Sequence, residues 1–132
     1  MNNMGTKLFN VALISLLLSC NKKEEYVETV NVSASIYHPV AEQTSPKIQT
    51  ASGLSINKKN PIKHKWMAVS RDLYNCGFVF GKYVHVSGTG YYDGIWIVQD
   101  LMNRRWTSKV DFLVGKKDQH NHWDSISVTL IN

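Results

Sequence analysis

From Thr29 onward the chain alternates. Val30, Val32, Ala34 and Ile36 recur on one face of TVNVSASIY, with Asn31, Ser33 and Ser35 on the other, the pattern of a half-buried strand. HPVAEQTSPKIQTASG then brings Pro39, Pro46, Ser52 and Gly53 and reads as a loop. The irregular LSINKKNPIKHK leads into WMAVS, short, apolar and β-compatible. RDLYNCG is too short for a full helix and predicts one helical turn stopped by Gly77. GKYVHVSG sets Val84 and Val86 against Tyr83 and His85, and Gly88 and Gly90 mark a turn. DGIWIVQD is apolar on both faces and predicts a central strand. KVDFLV resumes alternation, with Val110, Phe112 and Val114 on one side and Asp111 and Leu113 on the other. WDSISVTLI sets Ile126, Val128 and Leu130 inward.

Six short strands with little helix predict an all-β domain, a small six-stranded barrel with short helical turns, because closure removes the edges of a short sheet. The remaining hydrophobic run lies at the N-terminus. Leu8 to Leu18 is nearly unbroken, follows the basic Lys7 and ends in LLSC. It is too short to span a bilayer permanently and has the proportions of a secretory signal. Its end resembles the bacterial lipobox, which implies a mature chain beginning at an acylated Cys20. The expected organisation is a signal peptide over 1–19, a lipidated N-terminus and polar linker over 20–28, and one β domain over 29–132. The expected location is the cell envelope, with the lipid in the outer membrane and the domain either periplasmic or surface-exposed.

Charge and cysteine content narrow the partners. The 132 residues carry a formal charge of +5, which favours acidic partners such as cell-wall polymers or lipid head groups. Nucleic acid is not expected, since no run interleaves aromatic with basic residues. With Cys20 consumed by lipid, Cys76 is left as a buried, inert thiol with no disulfide. The His120 and His122 pair, with His64 and His85 as further ligands, has zinc-compatible spacing, but its setting in DQHNHWD favours an exposed loop. Neither metal nor cofactor is expected.

Several separated pieces resemble one family in order. ASIY, TASG, MAVSRDL, FGKYVHV, VQDLMNRR and KVDF are similar to the double-psi β-barrel of the three-aspartate (3D) domain proteins and the rare-lipoprotein-A-like lytic transglycosylases. The resemblance covers about residues 33–130. It implies cleavage of peptidoglycan glycan strands without water, the sugar's own hydroxyl displacing the leaving group to form an anhydro end. It also implies that Asp111 is the acid/base and that Asp100 is the aspartate ending the preceding strand. Tyr37 and Thr50 match positions near the groove. Two departures stand out: Ser70 occupies the position of the family's first aspartate, with Asp72 two residues on, and Leu101, Met102 and Asn103 replace a glycine-rich turn.

The residues themselves suit that chemistry. Glycosidic cleavage needs a proton for the leaving oxygen and stabilisation of a positively charged sugar. A carboxyl serves as the acid when burial or a second carboxylate raises its pKa. Asp111, between Val110 and Phe112, offers the burial, and Asp100 offers the second carboxylate or a loop cap. Arg104 and Arg105 pull a carboxylate the other way, so one of them is expected on a substrate carboxylate or paired with Asp100. Among Trp66, Trp96, Trp106 and Trp123, Trp106 in the loop between the aspartates is the expected sugar platform. The leading expectation is a monomeric, lipid-anchored lytic transglycosylase-like enzyme. A non-catalytic glycan-binding lipoprotein and an envelope protein that binds another protein remain alternatives.

Overall fold

The computed structural model describes residues 28–39 and 48–132. The expected signal peptide, Cys20 and most of the linker lie outside the described residues, as does part of the loop before Ile48.

Six strands form where the hydrophobic pattern predicts them. They are β1 (Thr29–Tyr37), β2 (Trp66–Val69), β3 (Tyr83–Ser87), β4 (Gly94–Leu101), β5 (Lys109–Leu113) and β6 (His122–Ile131). Hydrogen bonding runs round a ring in the order β1-β5-β2-β4-β3-β6, with β6 returning to β1. β1–β5 and β2–β4 are parallel, and the other pairs are antiparallel. Inside the ring sit Val32, Ala34, Ile36, Met67, Val69, Val84, Val86, Trp96, Val98, Val110, Phe112, Ile126 and Val128. Trp96 and Phe112 are fully buried, with ring centroids 4.7 Å apart. The Trp96 indole N–H donates to the Tyr92 carbonyl at 2.8 Å, so the one polar atom of the core's largest side chain is satisfied.

Helical structure is sparse. The helix α1 (Arg71–Asn75) and one 3-10 turn (Pro61–His64) are the helical segments among the described residues. Gly77, at φ +112°, ends α1 in a conformation that other residues rarely adopt. The double-psi barrel with several short helical turns expected from the sequence is therefore corrected to a six-stranded mixed β-sheet with ring-like hydrogen bonding and one short α-helix. The long connections at 102–108 and 114–121 are closed by turns rather than helices, because Asn103 and Asp118 side chains satisfy the local N–H groups.

Further corrections concern burial and the chain's anchoring. β4 does lie between β2 and β3, but its outer face is not uniformly apolar and covered: Ile95 is 44% exposed. Cys76 is disulfide-bonded and half-buried, not a free buried thiol. Among the described residues no helix is long and apolar enough to cross a membrane. Cys20, on which a lipid anchor would rest, falls outside the described residues.

Candidate functional site

The site follows from register. In the sheet, Ser35 of β1 pairs with Asp111 of β5, Asp111 with Ala68 of β2, and Ala68 with Asp100 of β4. Register partners share a face, so these four residues form one row across four strands. The row lies on the side of the sheet opposite the core, since the neighbours Ala34, Ile36, Met67, Val69, Val110 and Phe112 all belong to the interior cluster.

Asp100 reaches this row through a bulge. Trp96 and Val98 point into the core, and unbroken alternation would send Asp100 inward behind them. Between Met67 and Ala68 the register with β4 shifts: Met67 pairs with Val98 but Ala68 pairs with Asp100. One extra residue, Gln99, is accommodated on β4, and the side chains beyond it change face. Both aspartates thereby end up on the same side of the sheet, with Ala68 between them. Adjacent strands are about 4.8 Å apart, so the two aspartate α-carbons are separated by roughly 10 Å.

Each carboxylate is held by different partners. The Ser35 hydroxyl donates a hydrogen bond to Asp111 Oδ1. Asp100 Oδ2 accepts the Tyr37 phenol at 2.8 Å, and its Oδ1 accepts the Ala51 N–H at 2.8 Å. The Tyr37–Asp100 bond links β1 to β4, strands separated in the sheet by β5 and β2. The phenol therefore covers the row between them, which accounts for Ala68 being only 3% exposed despite facing away from the core. Ala51 belongs to the turn from Thr50 to Leu54, pinned to β4 by the Ser52 N–H on the Gln99 carbonyl at 3.2 Å.

The electrostatics separate the two acids. Burial raises the Asp111 carboxyl above its ordinary value, and the nearby Asp100 charge adds to this, while the Ser35 hydroxyl, Lys109 and His120 offset part of it. Tyr37 is pushed strongly upward by burial and by the charges of Asp100 and Asp111, so its phenol stays protonated and remains a donor. The arrangement thus sets a carboxyl raised by burial beside a second that accepts three hydrogen bonds, the third from the Leu101 N–H at 3.0 Å.

The remaining sequence candidates are dispersed. The Thr50 hydroxyl closes its own turn, within 2.8 Å of Ser52 Oγ and accepting the Leu54 N–H at 3.1 Å. The Tyr37 hydroxyl is engaged by Asp100. Trp106 lies on the β4–β5 turn, 37% exposed, and Arg104 is exposed beside it. Trp96 and Trp123 pack in or against the core, and Trp66 stacks on His64 at 3.8 Å. His122 faces Asp124 at 3.1 Å on an exposed strand end. Among the described residues no group of three metal-ligating side chains converges.

Ser70 and Asp72 stitch the scaffold. Ser70 is fully buried; its hydroxyl accepts the Lys109 N–H at 3.0 Å and its N–H donates to the Lys109 carbonyl at 2.9 Å. The Asp72 carboxylate accepts the Ser108 N–H at 2.9 Å. Burial alone would raise this carboxyl, but hydrogen bonds from Ser70 and from the Ser108, Asp72 and Leu73 backbone hold it below its ordinary value. These contacts fix the start of β5, two residues before Asp111. Sequence reading missed Ser35, which alternation assigns to the solvent face. The signal that could have found it is its place in β1, two residues before Tyr37 on the same face.

Comparison of the chain with protein-family models, with curated proteins and with solved structures returns no match.

Proposed function

We propose that this protein cleaves the glycan strands of peptidoglycan by lytic transglycosylation, with Asp111 as the acid/base. The observation that carries the reading is the raised carboxyl of Asp111, held by Ser35 and flanked across Ala68 by Asp100. A protonated carboxyl beside an ionised one is the pairing that glycosidic cleavage uses. The ordered resemblance of ASIY, MAVSRDL, VQDLMNRR and KVDF to the three-aspartate and rare-lipoprotein-A-like proteins supports the same substrate class. That substrate places the proposed work in the cell envelope.

The proton inventory is closed. Asp111 gives its proton to the leaving glycosidic oxygen as the C1–O bond breaks. The sugar's C6 hydroxyl bonds to C1, and its proton passes to the Asp111 carboxylate, restoring the acid. No water is consumed. Asp100, fixed by Tyr37 and Ala51, raises the Asp111 carboxyl and stabilises positive charge developing over Ala68. Incubation with purified sacculi tests the reading: soluble glycan fragments are expected from the native chain and not from Asp111→Asn.

A second reading, a glycan-binding protein without catalysis, has its own support. Ser70, where the resembling family has an aspartate, is committed to two hydrogen bonds with Lys109 and cannot act as an acid. Sacculus binding without fragment release would favour it.

A further inference from the structure

The β4–β5 turn carries chemistry that the carboxylate row does not use. The Lys109 ammonium lies 3.9 Å from the Trp106 ring centroid, and the Arg105 guanidinium carbon lies 5.0 Å from it. Arg104 is exposed next to them. Among the described residues none of these cations has a carboxylate within ion-pair distance, and the one ion pair is His122 with Asp124. Two cations gathered on one ring repel each other, and the face of the indole offsets that only in part. An anion bound at the turn offsets that repulsion.

The turn is built to hold them. The Arg105 N–H donates to the Asn103 side chain at 3.0 Å, and the Trp106 N–H donates to the Asn103 carbonyl at 3.0 Å. The Ser108 N–H is fixed by Asp72, and Lys109 is bonded through its backbone to Ser70. Lys109 precedes Asp111 by two residues on the same face of β5, about 6.6 Å along the strand. Whatever anion sits at the turn is therefore next to the proposed acid.

We propose that Arg105 and Lys109, both drawn to the Trp106 indole, form a carboxylate-binding station for an acidic saccharide adjoining Asp111. The inference rests on the glycan reading and sharpens it: of the two sugars that alternate in peptidoglycan, the one whose lactyl carboxylate is freed where the stem peptide has been removed lies against this turn. Arg105 offers a planar fork and Lys109 a point charge, a suitable pair for one carboxylate. Occupation also neutralises Lys109, whose charge otherwise draws down the Asp111 carboxyl. The acidic sugar thus helps Asp111 keep the proton that cleavage requires. Trp106 acts as a positioning residue.

The test is calorimetric titration of the full chain with a peptide-free disaccharide carrying the free lactyl carboxylate, and with the same disaccharide reduced to the alcohol. The acidic form is expected to bind about tenfold tighter, with the advantage shrinking as salt rises. R105Q and K109M should each remove most of that advantage, and K109R should keep it. Equal binding of the two forms, binding of neither, or an undiminished preference in R105Q/K109M overturns the station. Such a result leaves the glycan reading to its cleavage assay, which requires no preference. Conversely, an intact preference with no fragment release removes the catalysis and leaves the station standing.

Discussion

Asp111 and Asp100 share one register partner, Ala68, and so face each other across a single methyl group on the outer side of the sheet. The smallness of that residue is a requirement of the site. Ala68→Leu would drive three further heavy atoms toward the Tyr37 cover, and overpacking of this kind costs about 1–3 kcal/mol. Expected outcomes are a lowered unfolding midpoint in urea and loss of glycan cleavage. Ala68→Gly should retain cleavage, and retention by the leucine variant would mean that the gap between the carboxylates is not used.

The Ser35 hydroxyl acts on Asp111 through its charged form. Because it donates to the carboxylate, it opposes the rise that burial causes. Ser35→Ala should therefore raise the Asp111 carboxyl further and move the alkaline limb of the pH–rate profile upward, at a cost of about 1 kcal/mol in stability. An alkaline limb that stays in place would show that Asp111 does not set it.

Asp111 also carries a pH-dependent stability term. Its folded pKa lies above the reference value of 3.8, so between the two values the native state binds more protons than the unfolded chain. Stability falls as pH rises through that window. Asp111→Asn is expected to be more stable than the native chain near neutral pH, with the difference vanishing in acid below the reference value. Thermal unfolding across the pH range measures it; a difference that grows toward acid would reverse the assignment.

Asp72 behaves in the opposite sense. Its carboxyl is held below the reference value by Ser70 and Ser108, so its contribution is present above that value and is lost as pH falls through the folded pKa. Replacing it by Asn should cost about 1 kcal/mol near neutral pH, a modest figure because the group is partly solvated. The loss should disappear in acid. Equilibrium denaturation at two pH values decides this.

The strands were largely legible because a period of two survives in TVNVSASIY, YVHVS, KVDFL and SISVTLI. What alternation could not supply was the face of Asp100, since a bulge opposite Met67 and Ala68 flips it. That bulge is a property of how β2 pairs with β4, not of β4 alone. Ser35 was assigned to solvent for a related reason: its cover, Tyr37 bonded to Asp100, joins residues 63 positions apart. The cationic pair on Trp106 was half legible, as composition placed arginines near a tryptophan but gave no reason to choose Lys109.

The most direct test of the proposed chemistry is mass spectrometry of what the full chain releases from purified sacculi, with Asp111→Asn beside it. Fragments ending in 1,6-anhydro sugars are expected from the native chain, with the variant slower by about 10²–10⁴-fold. Ordinary reducing ends, no fragments at all, or undiminished release by Asp111→Asn would contradict the assignment of Asp111 as the acid/base of a lytic transglycosylase.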